Sequence, residues 1–302
     1  MLPVAAFVTD ICNFHFSVFI LQLHRRPDPM ITKSPKELAF LHDLYIATDW
    51  GERFAELVDE HVKLPKEGRA LYVEAGTGGH VLALQESGGQ KLSFLCTDQN
   101  EECLELARAK AAALHESTTF QRENPQALSI ADNEFDLVLG NLSFTPPEYL
   151  RPTVNELVRV TKPRGTVASW LPTAGSFGEF FSIYWEALLG AGVEDHGTDV
   201  ERLIADLPTV SDVEGWAEEA GLEDVQSWTA IEEFDFESGE VFLNSPLIQH
   251  FLLPAWLDSI PEAAQDNVSS ELARIIDEDR HAREFALSLK ATLVAGKKSG
   301  VQ

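Results

Sequence analysis

The sequence predicts an α/β fold in which helices flank a doubly wound, mostly parallel sheet of seven strands. Short apolar strands alternate with helical segments from residue 69 to residue 171, and this alternation is typical of βαβ units. The fourth strand is apolar throughout, as expected for a sheet that is covered on both faces. The chain has 302 residues, enough for one large domain or for one domain and a cap.

Hydrophobic pattern and helix propensity place the elements of the alternating region. Strands are predicted at residues 69–74, 91–97, 118–121, 135–140 and 166–171. Helices are predicted at 80–86, 101–114 and 147–160, with a turn at 163–165. The second of these helices is rich in Ala, Leu and Glu, which are strong helix formers. This βαβ series implies a parallel sheet with right-handed crossovers.

The segments on either side predict helices and two further strands. Ser34, Pro35 and Glu37 form a helix-start signature, with a capping serine and a glutamate in the capping-box position. Apolar residues at helical spacing continue to residue 62, and Gly51 is predicted to separate two helices. Further helices are predicted at 177–189 and 210–220, the second beginning after Ser211. Long strands are predicted at 225–236 and 285–297.

These elements divide the chain into four parts. Residues 30–66 form an N-terminal helical cap, residues 67–244 and 284–300 the core, and residues 245–283 a proline-interrupted helical insert that adds to the cap. Residues 1–29 are predicted to be a non-native or disordered extension before a natural start at Met30. Their apolar run is too short to span a bilayer, so no stable membrane insertion is expected. A weak membrane-surface anchor is the alternative for this segment.

Composition narrows the classes of function. The formal net charge is −26, and no Lys- or Arg-rich run offsets it. Such a surface repels a nucleic-acid backbone, so no nucleic-acid partner is expected. The acidity favours solubility, with a cationic substrate or a saline cytoplasm as alternatives. Cys12, Cys96 and Cys103 have no CxxC pair and no metal-ligand spacing, which fits a cytoplasmic protein without a metal site.

A glycine turn after the first strand is the candidate ligand site. Glu74 ends that strand, and Gly76 and Gly78 follow it before a helix begins. Asp98 ends the second strand about 22 residues after Gly76, where a carboxylate can bind the hydroxyls of a ribose. A carboxylate at the first strand end would repel a pyrophosphate but suits an ammonium group. Val81 also replaces the third glycine of the dinucleotide pattern, so S-adenosylmethionine is favoured over NAD.

Several segments, in order, resemble the motifs of class I S-adenosylmethionine-dependent methyltransferases of the small-molecule, type 11 kind. Residues 74–78 are similar to motif I, and residues 94–98 to motif II with its ribose-binding acid. Residues 122–128, 132–138, 158–165 and 290–295 resemble the adenine-binding segment, the fourth strand, the following turn and the closing antiparallel strand. The resemblance implies a Rossmann-like sheet whose last strand is antiparallel.

The resemblance also implies a cofactor site. Its residues would be Glu74, Ala75, Gly76, Thr77, Gly78, Asp98, Gln99, Asn124, Pro125 and Asn141. Glu74 would contact the methionine amino group directly or through water, and Asn124 the adenine amino group. Asn124 replaces the usual aspartate, so its contact would be weaker than one to a charged acceptor. His80 replaces the usual third glycine of motif I.

The implied activity is methyl transfer to a small organic acceptor by in-line displacement. Such a reaction needs alignment and exclusion of water, and a general base only when the nucleophile carries a proton. No catalytic residue is predicted; His80 is interpreted as a helix N-terminal residue, and the stripe containing His42 and Trp50 as core. A cofactor-binding protein without turnover and an NAD-linked oxidoreductase are the alternatives. A homodimer is one assembly that the sequence allows.

Overall fold

A computed structural model of the protein describes residues 33–88, 91–116, 118–278 and 284–300. The prediction for residues 1–29 lies outside these ranges. The chain divides into two compact units, Met1–Ser34 and Pro35–Gln302, and all of the elements below belong to the second.

A single sheet of seven strands forms the centre of the second unit. Its strands are β1 (Gly68–Val73), β2 (Leu92–Asp98), β3 (Thr119–Arg122), β4 (Phe135–Asn141), β5 (Thr161–Pro172), β6 (Leu222–Phe236) and β7 (Phe285–Lys298). Their spatial order is β3-β2-β1-β4-β5-β7-β6. The first five strands pair in parallel, and β7 runs antiparallel between β5 and β6. The predicted sheet, with its antiparallel last strand, is confirmed.

Helices cover both faces of the sheet. They are α1 (Pro35–Leu41), α2 (Gly51–His61), α3 (Gly79–Gly88), α4 (Glu101–Leu114), α5 (Pro147–Val160), α6 (Gly178–Gly190), α7 (Gly197–Ala205), α8 (Val210–Glu219), α9 (Gly239–Asn244), α10 (Leu253–Trp256) and α11 (Glu262–Glu278). Two π helices, His42–Trp50 and Ile248–Leu252, and a short 3-10 turn, Glu194–His196, complete the set. Alternate residues of β1 enter opposite cores: Tyr72 the larger one, Leu71 and Val73 the smaller. Within the described ranges, no helix has both the length and the hydrophobicity to cross a membrane.

The strand order reverses between β1 and β4, and this reversal positions the site. The chain runs outward from β1 to β3 and then returns to the other side of β1. Val73 pairs with Thr97 of β2 and with Gly140 of β4. The residues that follow these strands therefore meet at one edge of the sheet, in the crevice where open α/β sheets bind ligands.

Gly51 stands where the first π helix passes into α2, so two helical elements meet there as predicted, but the backbone stays helical and the segment has no break. Gly51 has helical angles, with φ −64° and ψ −40°. A Cβ there would lie 3.3 Å from the carbonyl oxygen of Ile46, so the glycine allows a close backbone approach instead of a break. The irregularity is the π helix just before it, which is wider than an α helix. Its Ile46 and Trp50 are buried in the larger core.

The start of α8 differs from the prediction for a local chemical reason. Thr209, not Ser211, caps this helix. The Thr209 hydroxyl accepts a hydrogen bond from the Asp212 backbone at 3.1 Å, and the Asp212 carboxylate accepts one from the Thr209 backbone at 2.9 Å. This reciprocal pair is a capping box in which Asp212 replaces the usual glutamate.

The predicted turn at residues 163–165 lies inside β5. Thr161 pairs with Phe135 and Thr166 with Leu137, so the residues between them bulge out of the ladder. Arg164 takes a positive φ of 67° within this bulge. A turn is therefore present at the predicted residues, but this turn interrupts the pairing of β5 with β4 without ending the strand.

Candidate functional site

A small cavity lies at the carboxyl ends of β1, β2 and β4. Its volume is about 160 Å³. The residues that line it are His42, Glu74, Gly76, Asp98, Asn100, Cys103, Asn141, Ser143, Phe144, Thr145 and Phe251. Four predicted cofactor residues, Glu74, Gly76, Asp98 and Asn141, therefore meet at one place. The other walls come from the first π helix, from α4 and from the π helix that contains Phe251.

The glycine turn leaves β1 through three residues with positive φ. Glu74, Gly76 and Gly78 have φ values of 56°, 56° and 80°. A Cβ on Gly76 would lie 2.6 Å from Cε1 of His42, so any larger residue would require the His42 ring to shift. Glu74 is not a glycine and its left-handed backbone is strained, which is a feature found at ligand sites. The turn thus brings a carboxylate and a bare stretch of backbone to the cavity.

Asp98 closes the glycine turn onto β2. Its carboxylate accepts hydrogen bonds from the backbone of Gly76 at 2.7 Å and of Asn100 at 2.8 Å. Asn100 is the residue that caps α4, since its side chain accepts from the backbone of Glu102 and Cys103. Asp98 is therefore not the helix cap. The backbone of Gln99 also hydrogen-bonds to its carboxylate, which leaves acceptor capacity for about one ligand hydroxyl.

Two of the residues that line the cavity are acids with raised pKa values. Burial, and then the charge of Asp98, raise the pKa of Glu74 to about 8. Burial also raises the pKa of Asp98, against the hydrogen bonds from Asn100 and Gly76. No Lys or Arg is among the lining residues. Oε1 of Glu74 is buried and has no hydrogen-bond partner among the described residues, which costs about 1–3 kcal/mol. A cationic or hydrogen-bond-donating ligand would relieve this cost.

Asp43 ties the first π helix to the glycine turn. The Thr77 hydroxyl donates to Oδ1 of Asp43 at 2.5 Å, and Lys110 of α4 pairs with the same oxygen. The hydroxyl of Thr77, a predicted cofactor residue, is thus bound to the protein. These bonds hold His42, the neighbour of Asp43, above Gly76.

Asn124 and Pro125 lie outside the cavity. The side-chain oxygen of Asn124 accepts a hydrogen bond from the Gln126 backbone at 3.0 Å and so forms a local turn. Asn124 is exposed and Pro125 is buried. The adenine contact expected of Asn124 stays a prediction.

Ala75 and Gln99 flank the two strand ends. The backbone N–H of Ala75 donates to the carbonyl of Thr97 at 3.0 Å, which joins the turn to β2. Gln99 hydrogen-bonds to the Glu74 carboxylate. Its own carbonyl accepts from the Arg122 side chain at 3.0 Å. Both residues are therefore positioned by backbone contacts beside the acids.

Asn141 and Ser143 form a polar turn at the end of β4. The side-chain oxygen of Asn141 accepts hydrogen bonds from the Ser143 hydroxyl at 2.7 Å and from its backbone at 3.2 Å. Both residues line the cavity, as expected for the carboxyl end of a parallel strand.

Three aromatic or imidazole rings that were not predicted as site residues form the apolar wall. Phe144 and Phe251 have ring centroids 5.8 Å apart, and His42 meets Phe251 edge-on at 6.0 Å. Trp50 stacks behind Phe144 at 5.1 Å. Trp50 is buried in the core, as predicted. His42, also predicted to be a core residue, lines the cavity instead. Asn100, Cys103 and Thr145 were also missed as lining residues.

His80 lies away from the cavity lining. Its Nδ1 is 3.0 Å from the Tyr72 hydroxyl and its Nε2 is 3.2 Å from the Asp59 carboxylate. These contacts join α3, β1 and α2. His80 is thus a helix N-terminal residue with a packing role, as interpreted from the sequence.

The sequence is similar to a family model and to several known proteins. Residues 70–165 match the family model described as "Methyltransferase domain". A demethylmenaquinone methyltransferase of Shouchella clausii is 33% identical over 125 residues, which cover 40% of this chain and 53% of that protein. An uncharacterised protein of Mycobacterium tuberculosis is 36% identical over 118 residues, which cover 38% of this chain and 41% of that protein. The chain thus spans about half, or less, of the length of these relatives.

Solved structures share the fold. The YcgJ protein of Bacillus subtilis superposes with a TM-score of 0.53 at 17% identity, covering 82% of this chain and 99% of that one. Phosphoethanolamine N-methyltransferase 2 of Haemonchus contortus, solved with S-adenosylhomocysteine, superposes with a TM-score of 0.50 at 15% sequence identity. The match covers 90% of this chain and 62% of that one. At these identities the likeness is one of fold.

The sheet order, the glycine turn and the family match define a class of protein. The fold is the one that these solved structures share, and one of them is a methyltransferase by its description. The chain contains a methyltransferase domain, which includes residues 70–165. The resemblance drawn from the sequence motifs is therefore confirmed.

Proposed function

We propose that the protein binds S-adenosylmethionine at this cavity and transfers its methyl group to a small organic acceptor. The observation that carries the proposal is the buried carboxylate pair. Glu74 and Asp98 adjoin a glycine turn, Oε1 of Glu74 has no described partner, and no cationic residue lines the cavity. The demethylmenaquinone methyltransferases among the relatives support transfer to a small molecule.

The residues present fit this cofactor. Glu74 offers an unpaired acceptor for the methionine ammonium group, and Asp98, which accepts three backbone hydrogen bonds, keeps acceptor capacity for a ribose hydroxyl. Bound S-adenosylmethionine would supply an electrophilic methyl group with a neutral leaving group. The cavity of about 160 Å³ is smaller than the roughly 300–1,000 Å³ of most ligand pockets, so it would hold only part of the cofactor. Asn124 and Pro125 are proposed to contact the adenine beyond it.

The cap is proposed to exclude water from the reaction. The proposed N-terminal cap (30–66) supplies His42 and the proposed insert (245–283) supplies Phe251, and the two rings meet edge-on in the wall of the cavity. Residues 67–244 and 284–300 then form the core beneath them. Apolar rings in the cavity lining favour an uncharged, partly apolar acceptor. We place the protein in the cytoplasm, without a nucleic-acid partner, as a monomer or a homodimer.

Calorimetry with S-adenosylhomocysteine and with NAD tests the proposal. We expect S-adenosylhomocysteine to bind at one site per chain and NAD to give no heat of binding. Formation of S-adenosylhomocysteine over a panel of phenols, quinols, amines and carboxylates then identifies the acceptor class. Binding of NAD alone would contradict the proposal. Binding of S-adenosylhomocysteine without turnover of any acceptor would favour a non-catalytic binding protein.

A further inference from the structure

The imidazole of His42 occupies a specific place in the cavity. It projects from the first residue of the π helix and lies above Gly76, where a Cβ would come within 2.6 Å of its Cε1. His42 directly precedes Asp43, whose carboxylate is held by Thr77 and Lys110. The first π helix and the glycine turn together therefore place the ring beside Gly76.

A buried ring nitrogen of His42 has no partner. Nδ1 is enclosed and makes no hydrogen bond among the described residues. Burial, and then the positive charge of Lys110, lower the pKa of His42 to about 4, against the charge of Asp43, which raises it. The ring is therefore neutral near pH 7. In the tautomer protonated at Nε2, Nδ1 carries a lone pair and accepts one hydrogen bond.

The cavity holds a second acceptor of the same kind. Oε1 of Glu74 is also buried and unpaired among the described residues, and both side chains line the cavity around Gly76. The ionisable groups near the ring are Asp43 and Lys110, which form an ion pair, and the cavity-lining acids Glu74 and Asp98. Two unpaired acceptors in an acidic cavity match a ligand group with several N–H donors and a positive charge.

We propose that His42 and Glu74 together bind the ammonium group of the methionine portion of S-adenosylmethionine, with Nδ1 of His42 accepting one of its N–H bonds. The inference rests on the proposed function and adds a cofactor-binding residue from outside the methyltransferase motifs. An ammonium group has three donors, so one carboxylate oxygen leaves it incompletely bound. A neutral imidazole completes the set without repelling the cation, which a protonated histidine would do.

Two nucleoside ligands test the assignment. S-adenosylhomocysteine carries the ammonium group, and its des-amino analogue keeps the adenosine, thioether and carboxylate but lacks that group. His42→Phe keeps the ring volume beside Phe251 and removes Nδ1. We expect this variant to bind S-adenosylhomocysteine about tenfold more weakly in displacement calorimetry. Its affinity for the analogue should change by less than twofold. Glu74→Gln should show the same selectivity.

Two further variants serve as controls. His42→Asn places an amide oxygen near the position of Nδ1 and should recover part of the affinity for S-adenosylhomocysteine. His61→Phe replaces a histidine of α2 that stacks on Trp228 and does not line the cavity, so both ligands should bind it as they bind the wild type. Thermal unfolding of each variant shows whether it is folded.

Each contrary result has a distinct meaning. Equal weakening of both ligands by His42→Phe would overturn the assignment, because the ring would then act only through packing. Unchanged binding of S-adenosylhomocysteine with loss of methyl transfer would also overturn it and would make His42 a proton acceptor for the nucleophile. If the wild type binds neither ligand, the proposed function itself fails.

Discussion

Asp98 has two roles that a single substitution would expose. Its carboxylate holds the glycine turn through Gly76 and the start of α4 through Asn100. The same oxygens are proposed to bind the ribose. Asp98 is therefore expected to affect both the geometry of the site and its affinity for the cofactor.

Asp98→Ala should weaken the binding of S-adenosylhomocysteine by about 2 kcal/mol, or roughly 30-fold, because charged hydrogen bonds are lost. Calorimetry measures this change. Asp98→Asn is the matched control, since it keeps one acceptor oxygen and should lose less affinity. A dissociation constant that does not change in Asp98→Ala would refute the ribose assignment.

The pKa of Glu74 predicts how stability depends on pH without a ligand. Its pKa is about 8 in the folded protein and about 4.5 when exposed. An acid with a raised pKa stabilises the fold below its unfolded value, and this contribution is lost as pH rises from about 4.5 through about 8. The raised pKa of Asp98 acts in the same direction.

Glu74→Gln imitates the protonated acid and removes the Glu74 part of this dependence. Urea unfolding of wild type and variant from pH 5 to pH 9 should show the variant gaining in relative stability as pH rises. A constant difference between the two proteins would contradict the buried position of Glu74.

At the scale of elements, the first π helix is joined through one carboxylate to both the glycine turn and α4. Asp43 bonds to Thr77 of the glycine turn and to Lys110 of α4. Both ionic side chains are partly exposed, at 22% and 33%, so solvent reduces the energy of the pair.

Asp43→Ala should lower the free energy of unfolding by about 1–2 kcal/mol, because the Thr77 hydroxyl and Lys110 lose their acceptor. Urea unfolding measures this loss. A double-mutant cycle with Lys110→Met separates the ion pair from the hydroxyl contact. Additive losses would mean that Lys110 and Asp43 do not interact in solution.

Local chemistry explains which elements could be predicted from the sequence. The limits of α4 and α5 agree with prediction, because Asn100 caps one helix and Pro147 stands in the first turn of the other. The π helix could not be predicted, since a search for the α-helical period has no place for its wider turn.

The same distinction applies to the candidate site. Glu74, Gly76, Asp98 and Asn141 follow strands whose parallel order the sequence indicates, so their meeting could be foreseen. His42 and Phe251 come from helices far away in the sequence, and only tertiary packing brings them to the cavity. Asn124 matched a motif by position, but its side chain bonds within its own turn.

At the scale of the whole molecule, charge is the dominant property. A net charge of −26 on 302 residues makes the folded state repel itself. Salt screens this repulsion, with a Debye length of about 10 Å at 0.1 M.

The free energy of unfolding should therefore rise as sodium chloride is increased from about 0.02 to 0.5 M at pH 8. Urea unfolding at each concentration measures the effect. Near pH 4.5, where many carboxylates are protonated, the same series should be much flatter. Stability that falls with salt at pH 8 would mean that local ion pairs outweigh the overall repulsion.

The sheet order has a consequence for synthesis on the ribosome. The 15-residue strand β6 pairs only with β7, and β7 begins 49 residues after β6 ends. At roughly 5–20 residues per second, β6 emerges about 2–10 s before its neighbour. During that interval the outer edge of β5 is open as well, because β7 lies between the two. The nascent chain can thus assemble β1 to β5 early, while the far side of the sheet waits for a strand still to be translated.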